Sequence, residues 1–252
     1  MSKFVYCPFF EVKSFTCCEK SCSAFTLAEV LITLGVIGVV AAMTLPMMVE
    51  GYQKVIMETR LKKFYSVFNQ AILRSINDNG PYEGWGYEID RYDPDAFQLS
   101  FDLYLRPYLN IVKTQQVIYT NGQYTMLYYL ADGSAFMYYY LHNRDIYYYP
   151  KDPVRCLKSQ EAAKRQGVCQ FPFLFAPNST LGGTADEKQR LRHATGKGME
   201  PYSTSWDGNI ETLYDTTFAS SCHPEKHGTY CTLLIQQNGW KFPKDYPRKI
   251  TY

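Results

Sequence analysis

Two hydrophobic patterns follow one another in the first third of the chain. From Phe25 to Val49 every residue is apolar, small or Thr, with the single exception of Glu29. A run of this length is sufficient to cross a bilayer as a helix, which needs ~20 residues. After Pro46 apolar residues recur at spacings of three and four, which predicts an amphipathic helix. The residues on its apolar face are Met57, Leu61, Phe64, Tyr65, Phe68, Ile72 and Ile76.

Together the two patterns predict one long helix that ends at about Asn77, before the Gly-Pro pair at 80–81. At 1.5 Å per residue it would be roughly 75 Å long, too long for a compact domain unless half of it projects. Pro46 lacks an N–H, so we expect the helix to kink or to loosen locally there. Gly35 and Gly38 add backbone freedom in the same stretch.

The remaining chain alternates short helical and β-favouring segments. A short helix is predicted over residues 94–105, ended by Pro107. The runs QVIYT, TMLYYL, AFMYYYL and IYYY, separated by turn-forming residues, predict an antiparallel meander of three or four strands. One face of this sheet is expected to cover the amphipathic helix. Residues 150–220 are interpreted as loops with one short helix near 159–165, and Thr232 to Gln236 as a last strand.

These elements predict an α+β fold in which the second half of a long N-terminal helix packs on an antiparallel sheet. The turn Asp132-Gly133-Ser134 is interpreted as a hairpin turn rather than a catalytic pair. The tyrosine clusters at 138–140 and 147–149 fit an adhesive surface, but strand alternation favours core and subunit contact.

Eight cysteines fall into two groups, one on each side of the apolar run. If the first group is removed during maturation, the four that remain are consistent with two disulfides in an oxidising compartment. Local pairing is expected among three possible connectivities. The first group is Cys7, Cys17, Cys18 and Cys22, and the second is Cys156, Cys169, Cys222 and Cys231.

A zinc site built from Cys222, His223, His227 and Cys231 is an alternative to the second disulfide. The spacing is unlike that of common zinc modules, because adjacent Cys and His rarely ligate one ion. We therefore expect no metal there and no cofactor elsewhere.

Charge and motifs exclude several classes of function. The formal net charge is +2, and Lys and Arg form no run of five or more, so no nucleic-acid partner is expected. Signatures of serine hydrolases, zinc proteases, nucleotide-binding loops and dinucleotide-binding folds do not occur. The chain is therefore not expected to be an enzyme.

Glu29 is the feature of the apolar run that needs an explanation. A carboxylate inside a membrane costs roughly 2.5–3.5 kcal/mol on insertion scales, so it predicts a function and a partner. A signal peptide cleaved around residues 40–42 and a plain single-pass anchor both leave it without a role. If the chain is cut between Ala24 and Phe25, Glu29 can neutralise the new amine of a neighbouring subunit. Pairing with the amine of its own chain is the simpler version of this hypothesis.

The segment AFTLAEVLITLGVIGVVAAMTLP resembles the cleavage and methylation segment of type IV prepilins and of type II secretion pseudopilins. The resemblance covers about 25 residues. Phe25, Thr26, Leu27 and Glu29 match the motif, whereas the family usually has Gly where this chain has Ala24. The other matching residues are Gly38, Ala41, Ala42, Leu45 and Pro46.

The resemblance implies a three-part chain. Residues 1–24 would be a leader that a prepilin peptidase removes after Ala24, with N-methylation of Phe25. Residues 25–49 would be a transmembrane and assembly helix, in which Glu29, Gly38 and Pro46 serve assembly. Residues 50–252 would be a pilin-like domain.

The expected product is a structural subunit of a type IV pilus or a type II secretion pseudopilus, major or minor. It would be stored in the inner membrane with its N-terminus in the cytoplasm and its domain outside, and then join an extracellular filament or periplasmic pseudopilus. Its partners would be the peptidase, other pilin or pseudopilin subunits and an inner-membrane assembly platform. A secreted binding module or hydrolase tethered by such an anchor is the alternative, and a generic single-pass protein is another.

Overall fold

The protein is described by a computed structural model over residues 25–85, 94–118, 124–139, 145–159, 161–175, 189, 193 and 198–250. The chain divides into two units, Met1–Met48 and Val49–Tyr252. Helix α1 (Leu27–Asn79) begins in the first unit and ends in the second. Its backbone is helical across Pro46, and it ends two residues beyond the predicted end at Asn77. The kink at Pro46 stays a prediction.

The second unit contains a six-stranded antiparallel sheet. Its strands lie in sequence order, and each is bonded to the next. The strands are β1 (Ile111–Ile118), β2 (Tyr124–Leu130), β3 (Ala135–Tyr139), β4 (Asp145–Tyr149), β5 (Phe171–Phe175) and β6 (Met199–Pro201). The α-helices that the structure describes with both ends after α1 are α2 (Pro94–Tyr104), α3 (Pro153–Ser159), α4 (Ala162–Arg165) and α5 (Cys231–Gln237). The α+β class and the meander β1–β4 are therefore confirmed.

The apolar face predicted for the second half of α1 is buried against one face of this sheet. Leu61, Phe68 and Ile72 are completely buried, and Tyr65 and Ile76 pack at the edge of the same cluster. On the sheet side the cluster contains Tyr128, Phe136, Tyr138, Ile146, Tyr148, Phe171, Phe173 and Phe175. The spacing of three and four in the sequence thus identified the correct face of the helix.

Phe64 lies at the centre of an aromatic stack between α1 and the sheet. Its ring stacks on Tyr148 with centroids 4.1 Å apart. It also lies 5.5 Å from Phe136, 5.5 Å from Phe173 and 5.6 Å from Phe68. Each such pair adds about 0.5–1.5 kcal/mol beyond the area it buries. The stack therefore joins β3, β4 and β5 to one turn of the helix.

The opposite face of the sheet is also buried, which the sequence pattern did not predict. Leu127, Met137, Tyr147 and Tyr149 form a second cluster there. The disulfide pair Cys156 and Cys169 belongs to the same cluster. All three tyrosines of the 147–149 cluster are therefore core, which excludes an adhesive surface made of these side chains.

Arg60 attaches the end of the β2–β3 hairpin to α1. Its guanidinium donates to the carbonyl of Asp132 at 2.6 Å and to the carbonyl of Pro150. The turn itself is closed by Leu130 N–H donating to the Ser134 carbonyl at 2.8 Å. The Asp132 carboxylate accepts from Ser134 and pairs with Lys63 at 3.1 Å. The prediction that 132–134 is a hairpin turn is confirmed.

A side chain of α1 closes the free edge of β6. Asn69 Nδ2 donates to the Met199 carbonyl at 2.9 Å, and Met199 N–H donates to Asn69 Oδ1 at 2.8 Å. The amide thus reproduces the pair of bonds that a neighbouring strand would make. This satisfies a backbone edge that otherwise promotes association between sheets.

The interpretation of 150–220 as mostly loops is wrong at two strands. Strand β5 has the sequence FPFLF and is buried along its whole length. A strand buried on both faces shows no alternation, so it lacks the usual sequence signal. Strand β6 has only three residues and depends on Asn69 and β5 for its position. The helix expected near 159–165 appears as α4, and α3 precedes it without having been predicted.

The predicted last strand at Thr232–Gln236 is also wrong, because Cys231–Gln237 is helix α5. Its first five residues are all buried, so alternation and helical spacing could not be distinguished there. The helix ends in a Schellman motif. Gly239, at φ +69°, donates to the Gln236 carbonyl, and Trp240 donates to the Ile235 carbonyl.

The adjacent residues Ile72 and Leu73 provide a matched test of the helix–sheet core. Ile72 is fully buried and Leu73 is 62% exposed. We expect Ile72→Ala to lower the free energy of unfolding by about 2–5 kcal/mol, since it leaves a cavity. Leu73→Ala should change it by at most ~0.5 kcal/mol. Denaturant unfolding of the detergent-solubilised chain, followed by near-UV circular dichroism, measures both. Equal effects would contradict the packing described.

Candidate assembly segment

The first part of α1 is apolar on every side and exposed on every side. From Leu27 to Leu45 it forms a stretch of 19 residues with mean hydropathy 2.2, none of it buried within the chain. Neighbours that point in different directions, such as Leu31, Ile32 and Leu34, are each more than 60% exposed. A helix that is hydrophobic all round belongs in a membrane or among other apolar helices. The segment is long and apolar enough to span a membrane.

Thr26 and Glu29 form a capping box at the start of this helix. Thr26 Oγ1 accepts from the Glu29 N–H at 3.2 Å. The Glu29 carboxylate accepts from the N–H of Thr26 at 2.8 Å and from its hydroxyl at 2.8 Å. The first intrahelical bond runs from Val30 N–H to the Thr26 carbonyl at 3.2 Å. Glu29 therefore satisfies a backbone donor of its own chain and fixes the helix start at Leu27.

The sequence analysis matched Thr26 to a motif but gave it no physical role. The signal that identifies this role is the spacing Thr-x-x-Glu directly before an apolar run. A carboxylate in the first turn also complements the positive end of the helix dipole. The cap thus accounts for part of what Glu29 does without any partner molecule.

The other predicted assembly residues occupy different environments. Ala24 lies outside the described residues, and Phe25 is 86% exposed. A Cβ added to Gly38 would meet nothing within 4 Å, so packing within this chain does not require a glycine there. Pro46 lies within α1. The structure thus brings Thr26 and Glu29 together and leaves Gly38 on an open helix surface.

The four cysteines of the second unit form two disulfides in the local pairing. Cys156 is bonded to Cys169 and Cys222 to Cys231, with Cα atoms 5.9 Å and 4.7 Å apart. The second bond uses both thiols that the zinc alternative requires, so that alternative is excluded for this state of the chain. Within the described ranges, no three His, Cys, Asp or Glu side chains lie together as metal ligands would.

Comparison with known proteins identifies the family of the second unit. Residues 47–250 match the model of a family of unknown function, DUF6613. The chain belongs to the DUF6613 family. No curated protein and no solved structure matches it.

The DUF6613 match begins at Met47, one residue after Pro46. It therefore covers the helix–sheet core, both disulfides and the C-terminal segment of this DUF6613 chain. The exposed apolar segment and the Thr26–Glu29 cap lie before the match, so any function assigned to them depends on their own chemistry.

Thr26 and Thr33 provide a matched test of the cap. Thr26→Ala removes the hydroxyl that caps the helix, which typically costs ~1 kcal/mol. Thr33 donates to the Val30 carbonyl inside the helix at 3.0 Å and has no cap to lose. We expect Thr26→Ala to lower hydrogen-exchange protection of the first turn by about fivefold in detergent micelles. Thr33→Ala should leave that turn unchanged. If both variants lose protection equally, the cap does not fix the helix start.

Proposed function

We propose that this chain is a pilin-like structural subunit, made as a membrane-anchored precursor and assembled through its N-terminal helix. The precursor is cut between Ala24 and Phe25 by a prepilin peptidase, and Phe25 is then N-methylated. The mature subunit joins a type IV pilus or a type II secretion pseudopilus, and it has no enzymatic activity. The observation that carries the proposal is the stretch Leu27–Leu45 of α1, which is apolar and exposed on all sides and includes a single carboxylate, at Glu29.

The exposure of this segment supports a role outside the folded domain. Burying an apolar side chain contributes about 1.5–3 kcal/mol, and none of the stretch Leu27–Leu45 gains this within the chain. A membrane supplies that environment before assembly, and the helices of neighbouring subunits supply it afterwards. The same helix can then leave the lipid for a filament at little cost, because both surroundings are apolar.

Glu29 supports a specific register between subunits. The cap holds its carboxylate in the first helical turn, three residues after Thr26. Cleavage before Phe25 creates a positive amine next to this turn. The Glu29 carboxylate of one subunit neutralises the amine of its neighbour, because an unpaired charge is costly in an apolar bundle.

The open surface at Gly38 supports close contact between helices. Small residues let helix backbones approach one another where lipid offers no hydrophobic driving force. Because packing within this chain does not require a glycine at this position, a neighbouring helix is the physical reason we assign to it. Gly35 lies on an equally open surface.

The two disulfides support an exported domain. Disulfides persist in oxidising compartments and are rare in the cytoplasm. With residues 1–24 on the cytoplasmic side, the span would place the second unit in the periplasm or outside the cell. An inner-membrane assembly platform and other pilin-like subunits are the partners this arrangement requires.

Mass spectrometry of the chain isolated from its native membrane tests the processing step. We expect an N-terminus at Phe25 that carries one additional methyl group. Ala24→Gly, which restores the residue usual in the family, should be processed at least as completely. A chain that begins at Met1 or at Met43 would contradict the proposal, since Met43 is where cleavage of an ordinary signal peptide would leave it.

Glu29→Gln tests the charge pair separately from the cap. Glutamine can close the same capping box, so the helix start is retained while the negative charge is lost. We expect the amount of subunit in sheared filaments or cross-linked polymers to fall at least ~10-fold, equivalent to ~1.4 kcal/mol, with membrane levels unchanged. Glu50→Gln, which changes the next carboxylate along the chain, is the control and should assemble normally. Normal assembly of Glu29→Gln would refute the pairing.

A further inference from the structure

The last segment of the described chain contains a buried arginine whose acceptors lie on two separate loops. Arg248 Nε donates to the Cys222 carbonyl at 3.0 Å, and Nη1 donates to the Gln166 carbonyl at 3.0 Å. Its Nη2 donates to the carbonyl of His223 at 2.7 Å and to that of Lys226. The residue is 6% exposed. A buried guanidinium is tolerated when hydrogen bonds replace its water, so these carbonyls determine whether it stays inside.

Both loops that supply these carbonyls are closed by disulfides. Gln166 lies in the loop closed by Cys156–Cys169, and the other three acceptors lie in the loop closed by Cys222–Cys231. The loops meet at two glycines with positive φ. A Cβ at Gly167 would lie 2.3 Å from Cys231 Sγ, and one at Gly228 would lie 2.7 Å from the Gln166 carbonyl. The junction is too close for any other residue without displacement of a loop.

Two further residues extend the contact from this junction to α1. The Tyr246 hydroxyl donates to the Gly167 carbonyl at 2.6 Å, and its ring packs on Phe242 with centroids 4.8 Å apart. Phe242 N–H donates to Glu58 Oε1 on α1 at 2.8 Å. The hydroxyl is protonated at physiological pH at its ordinary pKa, and burial raises the pKa of Tyr246 further. The bonds thus connect the Cys222–Cys231 loop to the long helix.

We propose that residues 240–248 form a strap that closes on α1 only after Cys222 and Cys231 have been joined. Without that bond the 222–231 loop keeps backbone hydrogen bonds, such as Gly228 N–H to the Ser221 carbonyl at 2.9 Å, but it loses the covalent closure that we infer holds its carbonyls around Arg248. Arg248 then loses three of its four acceptors described above, and its guanidinium becomes exposed to solvent. Tyr246 and Phe242, which lie in the same strap, are displaced from the loop junction and from α1. The contact between the strap and the second half of α1, at Phe242 and Glu58, therefore depends on formation of the Cys222–Cys231 disulfide. Joining the thiols releases two protons and two electrons, which a thiol–disulfide exchange partner takes up as its own disulfide is reduced.

Limited trypsin proteolysis of the detergent-solubilised full chain tests the strap. Lys241 and Lys244 are exposed residues within it, and Lys62 on α1 reports global opening. Cleavage of a transiently open segment follows the population of the open form. We expect cleavage after Lys241 and Lys244 to be at least ~10-fold faster in Arg248→Met, while cleavage after Lys62 stays within about twofold of wild type. Lys249→Met, at the exposed neighbouring position, is the matched control and should behave as wild type.

The double variant Cys222→Ala/Cys231→Ala tests the dependence on oxidation. In this variant we expect cleavage after Lys241 and Lys244 to accelerate as much as in Arg248→Met. In Arg248→Met itself, peptide mapping should find the Cys222–Cys231 bond intact. A closed strap in the cysteine variant would overturn the proposal. So would parallel acceleration after Lys62 in both variants, because it would assign the bond and the arginine to general stability. Unchanged strap cleavage in Arg248→Met would overturn it as well.

Discussion

The folded domain depends on the burial of one stripe of α1 among aromatic rings. Phe64 touches rings from three strands and from its own helix, so the position of the helix on the sheet is determined at a single turn. Arg60 and Asn69, on neighbouring turns, then supply hydrogen bonds to a hairpin and to an edge strand. Apolar burial thus provides the energy, and the flanking polar side chains specify which backbone segments meet the helix.

The same helix has the opposite character before residue 46. There the apolar residues are not buried by any part of the chain that the structure describes, and the described polar contacts at its start belong to the Thr26–Glu29 cap. A helix that is amphipathic in one part and apolar on all sides in another must contact two different environments. The proposed pilin-like role assigns the first environment to the domain and the second to lipid and then to neighbouring helices.

The sequence predicted those features for which a periodic signal exists. The face of α1 and the β2–β3 turn follow from spacing and turn chemistry, and the local disulfides follow from cysteine positions. Strand β5 gives no alternation signal because it is buried on both faces, and the pattern of α5 fits a strand as well as a helix because its first five residues are all buried. The spacing Thr-x-x-Glu is the sequence signal of the cap, whereas the charge of Glu29 by itself indicates a partner and not a cap. Arg248 binds carbonyls of two loops that are far apart in the sequence, so no local sequence pattern predicts these hydrogen bonds.

Burial on both faces of the sheet also constrains how this family can diversify. Strands β4 and β5 have no side chain in water, so a polar substitution at any position there would disturb packing on one face or the other. Strand β1, by contrast, has no fully buried residue and lies at the margin of the sheet. Substitutions that change surface character should therefore cost less stability on β1 than at the centre of the sheet. The surface that β1 presents to its surroundings can therefore change while the buried residues of β4 and β5 stay the same.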